Sequence, residues 1–400
     1  MQYRKFGKLD WKVSALGFGA MRLPQLGNDM TSPVNEPEAI KMIRYAIDHG
    51  VNYVDTAYPY HMGNSERVVG MALKDGYREK TRLATKLTPH LVRSRDSLDR
   101  YLEGQLERLQ TNKIDFYLMH GLNAEAWKTI QNLNALKWAE RKVAEGKIGY
   151  IGFSFHDEFD VFKKIIDSYD NWTFCQIQYN YLDVNNQAGR RGVEYAASKE
   201  LAIVIMEPLR GGQLTRTPPE PVTRIWESAK TKKTLAEWGL QWLWNQPEIS
   251  VVLSGMSTME QVIQNVSYAE RSGPNTLSQE ELEIYRKVYE AYQKRAPIPC
   301  TGCRYCQPCP NGVEIPVVFQ CYNDMFIYDD PRAGVFRYMG PVGLKPDQRA
   351  DNCLECGQCV EKCPQKINIP EKLKEAHKAL TETGSHGRMP PGPPPGPEPI

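Results

Sequence analysis

The residues best suited to chemistry begin in Val51–Tyr60 (VNYVDTAYPY), a short apolar run that stops at Asp55 and turns into a polar, aromatic loop ending at Tyr60. Two later apolar runs also end in titratable groups: Arg82–Lys86 (RLATK) at Lys86 and Ile114–His120 (IDFYLMH) at His120. A phenol titrates at about pH 10 in water, so Tyr60 is a poor proton donor at neutral pH unless a neighbour lowers its pKa. A lysine ammonium beside it would do so, because a nearby cation favours the phenolate. Asp55 would hold that ammonium in place and charged. His120 could donate a hydrogen bond to a carbonyl oxygen and stabilise negative charge developing there. Together the four groups suit carbonyl reduction, with hydride arriving at carbon while Tyr60 protonates oxygen. Singly, each has a plain structural reading: an Asp at a strand end caps a turn, and a lone His fills a core. Four such groups at the ends of successive strands point to a site.

A second constellation is made of cysteine. Of ten cysteines only Cys175 precedes residue 300, and the other nine fall between Cys300 and Cys363. Eight form two runs, Cys300-x2-Cys303-x2-Cys306-x2-Cys309-Pro310 and Cys353-x2-Cys356-x2-Cys359-x3-Cys363-Pro364. In a cytosolic protein such a cluster suggests metal more than disulfides. Two four-cysteine zinc sites would also fix a small domain, but zinc ribbons usually space their cysteines as pairs. Triplets followed by Cys-Pro favour [4Fe–4S] clusters instead. Cys321 reads as a buried cysteine or a substitute ligand, and Cys175, within an apolar strand pattern, as core.

The elements that must position these groups alternate regularly. Gln2–Phe6 and Lys12–Ser14 flank a turn and read as a hairpin, placed as a plug beneath a sheet. Ala15–Ala20 is the first strand, its glycines permitting close approach of a ligand or another backbone. Strands at 51–55, 82–86, 114–120, 148–153, 174–178, 202–206 and 250–253 follow. Helical apolar spacing separates them at 37–49, 66–74, 97–109, 125–145, 158–168, 192–199 and 235–244, and a last helix covers 258–267. Eight βα units imply a parallel sheet and suggest a (β/α)8 TIM barrel, whose active sites form at the C-terminal ends of the strands. A doubly wound sheet is the alternative, but no G-x-G-x-x-G follows the first strand. A charged amphipathic helix at 278–294 leads to the cysteine-rich part.

Composition sets the bounds. With 41% hydrophobic and 24% charged residues, the 400-residue chain can bury a large core. A net charge of +2 gives no general pull toward nucleic acid or membranes. No window approaches the roughly 18 apolar residues of a membrane span, and the start lacks an apolar signal core, which points to the cytosol. Residues 384–400, with seven prolines, cannot build a core and read as a disordered tail.

The segments NYVDTAYPYHMGNSE, LATKL, DFYLMHGL, IGYIGFSFH, QIQYNYLD, EPLRGGQL and SGMSTMEQVIQN resemble the aldo-keto reductase family, in its order, across residues 1–290. The resemblance implies a catalytic tetrad of Asp55, Tyr60, Lys86 and His120 with Tyr60 as general acid; Tyr58 lacks the family's spacing from Asp55. It also implies a nicotinamide cofactor, with Ser154 and Gln178 on the carboxamide and Gly19 and Met21 at the end of the first strand. The segments around Leu209 and Gly211, and Gly255, Ser257, Gln261 and Asn265, would take the pyrophosphate and adenosine end. Members of the family that prefer NADP usually carry a basic residue after the last strand. Ser254–Ala269 has no Lys or Arg, leaving only Arg210 and Arg271 as substitutes, so NADP and NAD both stay open.

The second cysteine run matches that of bacterial two-cluster ferredoxins, in which the fourth Cys ligates the other cluster. That resemblance implies Cys300, Cys303, Cys306 and Cys363 on one cluster, and Cys353, Cys356, Cys359 and Cys309 on the other. The expected organisation is a barrel over 1–290, a smaller ferredoxin-like iron–sulfur domain over 291–383 and the tail.

The combination implies an iron–sulfur aldo-keto reductase acting on a small carbonyl or alcohol, its clusters exchanging electrons with a redox protein partner. A nicotinamide moves two electrons as hydride and these clusters move one at a time. Direct exchange would need a flavin, for which no motif is present. Two other readings remain: an electron-transfer protein with the barrel as docking scaffold, and a reductase whose clusters are purely structural. Tyr58, Trp127 and Phe155 are candidates for lining a substrate pocket or for packing.

Overall fold

The computed structural model describes residues 1–27, 32–340 and 343–385. The chain packs as two compact units, one of Met1–Leu214 with Lys233–Leu277 and one of Thr215–Lys232 with the chain from Ser278 onward. The second unit therefore takes in the whole helix Gln279–Gln293, which straddles the expected boundary at 290.

In the first unit, β1 (Tyr3–Lys5) and β2 (Lys12–Ser14) pair antiparallel as the expected hairpin. Next come β3 (Leu16–Gly19), β4 (Tyr53–Asp55), β5 (Arg82–Leu87), β6 (Ile114–Leu122) and β7 (Ile148–Phe155). The series ends with β8 (Phe174–Gln178), β9 (Ala202–Met206) and β10 (Ile249–Ser254). All eight are parallel, and β10 pairs back onto β3, closing the barrel. That closure sets the doubly wound alternative aside. Strands such as AIVIM in β9 are apolar throughout because a parallel sheet covered by helices is buried on both faces.

The helices start where short polar side chains satisfy their first N–H groups. Asn35 caps Glu36–Asp48, Ser94 forms a capping box for Arg95–Leu109, and Thr258 caps Met259–Glu270. One expectation fails: 125–145 is not one helix but two, Ala124–Asn132 and Ala135–Ala144. The chain turns at Asn134, whose φ of 51° lies in the left-handed region that ends a helix.

The barrel's bore is filled by Tyr53, Phe116, Leu118, Phe174, Val204 and Val251, and Phe6 of the hairpin loop closes its lower end. The Phe6 ring lies 4.7 Å from that of Phe116 and 5.7 Å from that of Phe174. A packed lower bore leaves the opposite rim, at the strands' C-terminal ends, for chemistry.

The second unit is helical, and no strand occurs among its described residues. Its core joins the helix Ile315–Ile327, through Val318 and Phe319, to the helix Ile369–Ser385, through Leu373, Ala376 and Leu380. That last helix takes in Gly384 and Ser385, and the rest of the predicted tail lies outside the described residues. No helix among the described residues is long and apolar enough to cross a membrane.

Candidate active site and cysteine-lined cavities

The register places the expected residues on one rim. Asp55 ends β4 beside Gly19, which ends β3. Lys86 pairs with Leu118 near the end of β5, Ser154 pairs with Gln176, and Gln178 ends β8 beside Met206. Lys86 Nζ donates to Asp55 Oδ1 at 2.6 Å and to the Thr56 carbonyl at 2.8 Å, and both side chains are buried. The Tyr60 ring faces that ammonium, its centroid 5.0 Å from Nζ, and meets the His120 ring edge-on at 6.1 Å. Tyr60 opens a loop whose next residues, His61 and Met62, both have positive φ (50° and 55°). Two non-glycine residues held there are the kind of local strain that collects at functional sites. His61 Nε2 accepts from Leu23 N–H at 3.0 Å, tying this loop to the turn after β3.

Charge and burial set the proton-holding states. Burial raises the Asp55 carboxyl above its ordinary pKa, against the pull of Lys86. Burial depresses Lys86, but the charges of Asp55 and Tyr60 outweigh it and hold the ammonium above its ordinary value. Tyr60 departs from expectation. Lys86 does pull its phenol down, yet burial is the larger influence and leaves it above the ordinary value. Burial also takes His120 well below an ordinary imidazole, and Lys86 adds to the effect, so the ring is neutral near pH 7.

β6 does not stop at His120. It runs to Leu122 with a register shift against β7 between Met119 and Leu122, and Gly121 has φ 59°. Such a bulge re-aims the side chains beside it. It also points Gly121 N–H at Ser154 Oγ, 2.7 Å away, leaving the Ser154 hydroxyl proton free to donate. Gln178 donates to Asp183 at 2.8 Å and accepts from Asn186 at 2.7 Å. One N–H and one lone pair remain on that amide, which is what a carboxamide needs.

The segments expected at the far end of a dinucleotide sit close by. Gly211 and Gly212 have φ of 65° and 91°. Leu209 packs its side chain on Gly239, where a Cβ would come within 2.4 Å of it. Gly255 follows β10, Ser257 N–H donates to Gln261 Oε1 at 2.8 Å, and Asn265 donates to Ser254 Oγ at 3.1 Å. These residues frame the N-terminus of Met259–Glu270, a place that favours an anion. Gly19 serves the strand packing, since a Cβ there would meet the Ser254 carbonyl at 3.3 Å, while Met21 is exposed.

Sequence reasoning missed Arg22. Its guanidinium lies where a Cβ on Gly211 would be 2.7 Å away, and its stem lies against Gly255. Arg210 and Arg271, the substitutes offered by the sequence, are each paired with a carboxylate: Asp183 at 3.5 Å and Glu237 at 2.9 Å. Trp127 and Phe155 are buried in the packing between sheet and helices, against Trp172 and Phe162. Tyr58 is half-buried, under the Arg108 guanidinium and edge-on to Tyr101.

With this geometry, the comparisons with known proteins are decisive. Residues 15–290 match the Aldo/keto reductase family. The chain belongs to the aldo-keto reductase family. An L-galactose dehydrogenase of Arabidopsis thaliana is 30% identical over 314 residues, covering 72% of this chain and 95% of that protein. An uncharacterized oxidoreductase of Bacillus subtilis, YqkF, is 26% identical and is covered in full, against 73% of this chain. The holo form of aldo-keto reductase AKR11C1 from Bacillus halodurans superposes with a TM-score of 0.59 at 29% identity, over 72% of this chain and 96% of that one. This aldo-keto reductase is thus an oxidoreductase. Residues 299–367 match a 4Fe-4S dicluster domain, so the barrel enzyme carries an iron–sulfur domain.

Within that domain the cysteines surround two cavities. One, of about 240 Å³, is lined by Cys306, Cys309, Cys353, Cys356 and Cys359. The other is lined by Cys300, Cys303, Cys306 and Cys363. Among the described residues no three metal-ligating side chains converge on a single ion. A cubane needs no such convergence, because each thiolate binds its own iron and the four stand around a core. The first cavity fits that demand, with Ile315 and Leu373 as apolar walls; the second is tighter, about 20 Å³, with Ile315, Phe319 and Ile369 beside its four cysteines. Cys175 and Cys321 are buried in the cores of their units.

Proposed function

We propose that this aldo-keto reductase reduces an aldehyde or ketone, or oxidises the alcohol in reverse, with Tyr60 as the general acid. The observation that carries the reading is the buried Asp55–Lys86 pair set against the Tyr60 ring, with His120 at that ring's edge. A bound nicotinamide supplies or takes up a hydride at the substrate carbon. The protein's own groups do the rest. Ser154 and Gln178 orient the carboxamide through the one proton and the amide valences they keep free. His120 donates from its neutral ring to the carbonyl oxygen, polarising the bond. The Tyr60 hydroxyl proton passes to that oxygen as the C–O π bond opens, and the phenolate left behind is stabilised by Lys86, which Asp55 holds in place. Arg22, beside Gly211 and Gly255, would hold the pyrophosphate or a 2′-phosphate, so NAD or NADP would be bound through a cation the sequence pattern does not show.

We further assign Cys300, Cys303, Cys306 and Cys363 to one [4Fe–4S] cluster and Cys309, Cys353, Cys356 and Cys359 to the other. The clusters transfer single electrons, which suits a redox protein partner in the cytoplasm. Coupling to the nicotinamide needs a flavin from that partner or bound without a sequence motif.

Replacing Tyr60 by Phe tests the chemistry. The variant should lose carbonyl reduction while its dinucleotide affinity and cluster absorbance stay as in the wild type. Retained turnover at the wild-type rate would remove Tyr60 as the general acid. Anaerobic titration with NADH and NADPH, with and without added flavin, tests the electron path. Cluster bleaching is expected only when flavin is present, and none in either case leaves the clusters structural.

A further inference from the structure

His120 has a neighbour that the reductase chemistry above does not use. Thr88 lies two residues beyond Lys86, and by the period of an extended chain it continues the face of β5 that carries the lysine. Its side chain is buried, and its Oγ1 lies 3.1 Å from His120 Nδ1. On its other side, Tyr101 of the helix Arg95–Leu109 donates its hydroxyl proton to the same Thr88 oxygen at 3.0 Å.

A threonine hydroxyl has one proton and two lone pairs. Here one lone pair is filled by Tyr101, and among the described residues the one acceptor within reach of the proton is His120 Nδ1. The imidazole, held neutral by burial, carries a single N–H. If Nδ1 accepts from Thr88, that N–H must sit on Nε2, at the far side of the ring. We propose that Thr88 and Tyr101 are positioning residues that fix His120 as its Nε2–H tautomer and so make it a permanent donor at the barrel mouth. Without them either nitrogen could carry the proton, and for part of the time the mouth would face an acceptor that repels a carbonyl oxygen. The proposal rests on the reading of His120 as the carbonyl's hydrogen-bond donor.

The tautomer is read directly by ¹⁵N NMR of the full-length holoprotein labelled at histidine, with the His120 signals assigned by their loss in His120→Gln. The expected result is a pyrrole-type Nε2 and a pyridine-type Nδ1 in the wild type, and averaged signals in Thr88→Val. A pyrrole-type Nδ1 in the wild type would overturn the proposal, whatever the enzyme turns over. Kinetics give the second readout. Thr88→Val should lower kcat for carbonyl reduction roughly tenfold or more, as expected when a proton-directing group loses its orientation. Dinucleotide KM should not change, and Thr88→Ser, which restores the hydroxyl, should recover the rate. Thr88→Val at wild-type kcat, or Thr88→Ser as slow as Thr88→Val, argues against it. If Thr88→Val does not fold, Thr88→Ala serves, because it also removes the hydroxyl proton that engages Nδ1, and the NMR signals should average. If the wild type reduces no carbonyl at all, the functional reading fails, and the NMR result still decides the tautomer.

Discussion

Lys86 Nζ sits 2.6 Å from Asp55 Oδ1 with both side chains out of solvent, and the carboxylate's other oxygen, Oδ2, has no hydrogen-bond partner among the described residues. The pair is therefore built around one contact, and Asp55 owes its charge to Lys86. Removing one member of such a pair strands the other in the interior, at a cost of about 3–5 kcal/mol. Asp55→Asn should be destabilised by that order in denaturant unfolding and should lose turnover. The double variant Asp55→Asn/Lys86→Met should recover much of the stability and none of the activity. Additive stability losses would mean that the two groups are not coupled.

His120 sets a pH window. Its folded pKa is depressed by burial, whereas in the unfolded chain it is an ordinary histidine at about 6.5. The unfolded state thus takes up a proton first as pH falls. The stability that the neutral ring contributes is whole above about 6.5 and is lost on the way down to the folded pKa, at up to about 1.4 kcal/mol per pH unit. His120→Gln should flatten this part of the stability–pH curve between about pH 6.5 and 5. An unchanged slope would show that His120 is not the group responsible. The raised Tyr60 phenol works at the other end. Its proton is retained above about pH 10, so reduction should not lose its acid below that pH.

Most of the frame was legible in the sequence because each strand end carries its own signal. Asp55, Lys86 and Gln178 each stand at or next to the point where an apolar run stops, and the barrel's closure then brings them to one rim. What stayed hidden depends on contacts across sequence. Thr88 looks like any threonine before Pro89 until Tyr101 and His120 are seen on either side of it. Arg22 follows a strand in an ordinary turn, and only the approach of Gly211 and Gly255 reveals its place. The break at Asn134 escaped because an apolar helical period runs through it and an asparagine's left-handed φ leaves no pattern. The sign of the Tyr60 shift escaped for a similar reason, since Lys86 can be read from spacing and burial cannot.

Gly70 shows how the rim is held from behind. It lies in the helix Ser65–Ala72, where a Cβ would come within 2.6 Å of the Arg108 carbonyl and 2.7 Å of the Leu109 carbonyl carbon. Those are backbone atoms and cannot swing aside. The same helix carries Glu66, fully buried, which accepts from Thr85 and Gln105 at 2.7 Å and pairs with Arg108 at 2.8 Å. Gly70→Ala should cost about 1–3 kcal/mol of stability, the range for overpacking, despite alanine's better helix propensity. A neutral or stabilising effect in thermal unfolding would mean that the two helices part without penalty.

Arg22 carries the prediction about the cofactor. With Arg210 and Arg271 each held by a carboxylate, Arg22 is the cation that reaches both glycine turns without a recorded ion pair among the described residues. Arg22→Ala should raise the dinucleotide KM roughly tenfold, about 1.4 kcal/mol, and leave kcat near the wild-type value, since the interaction is the same in ground and transition states. The ratio of the KM increases for NADPH and NADH tells which phosphate it serves. An equal rise for both cofactors places Arg22 on the pyrophosphate, and a rise for NADPH alone places it on the 2′-phosphate. No rise for either removes it from the site.

The cysteine cavities make the last prediction, because each is lined by cysteines of both runs. Cys363 lines the cavity of Cys300, Cys303 and Cys306, whereas Cys309 lines that of Cys353, Cys356 and Cys359. Cys363→Ser should therefore impair the cluster of the first run, and Cys309→Ser the cluster of the second. Each variant should lower the iron and sulfide counts from about eight toward four per chain, and the dithionite-reduced EPR spectrum should lose the magnetic coupling of two neighbouring clusters. Cys321→Ser and Cys175→Ser, at buried cysteines that line neither cavity, should leave both counts unchanged. Pairing Cys363→Ser with Cys303→Ser separates the arrangements, since two hits on one cluster spare the other and hits on both remove all iron. If that double variant keeps about four iron, the ligands cross between runs. If it keeps none, each run holds its own cluster and the cavity lining has misled.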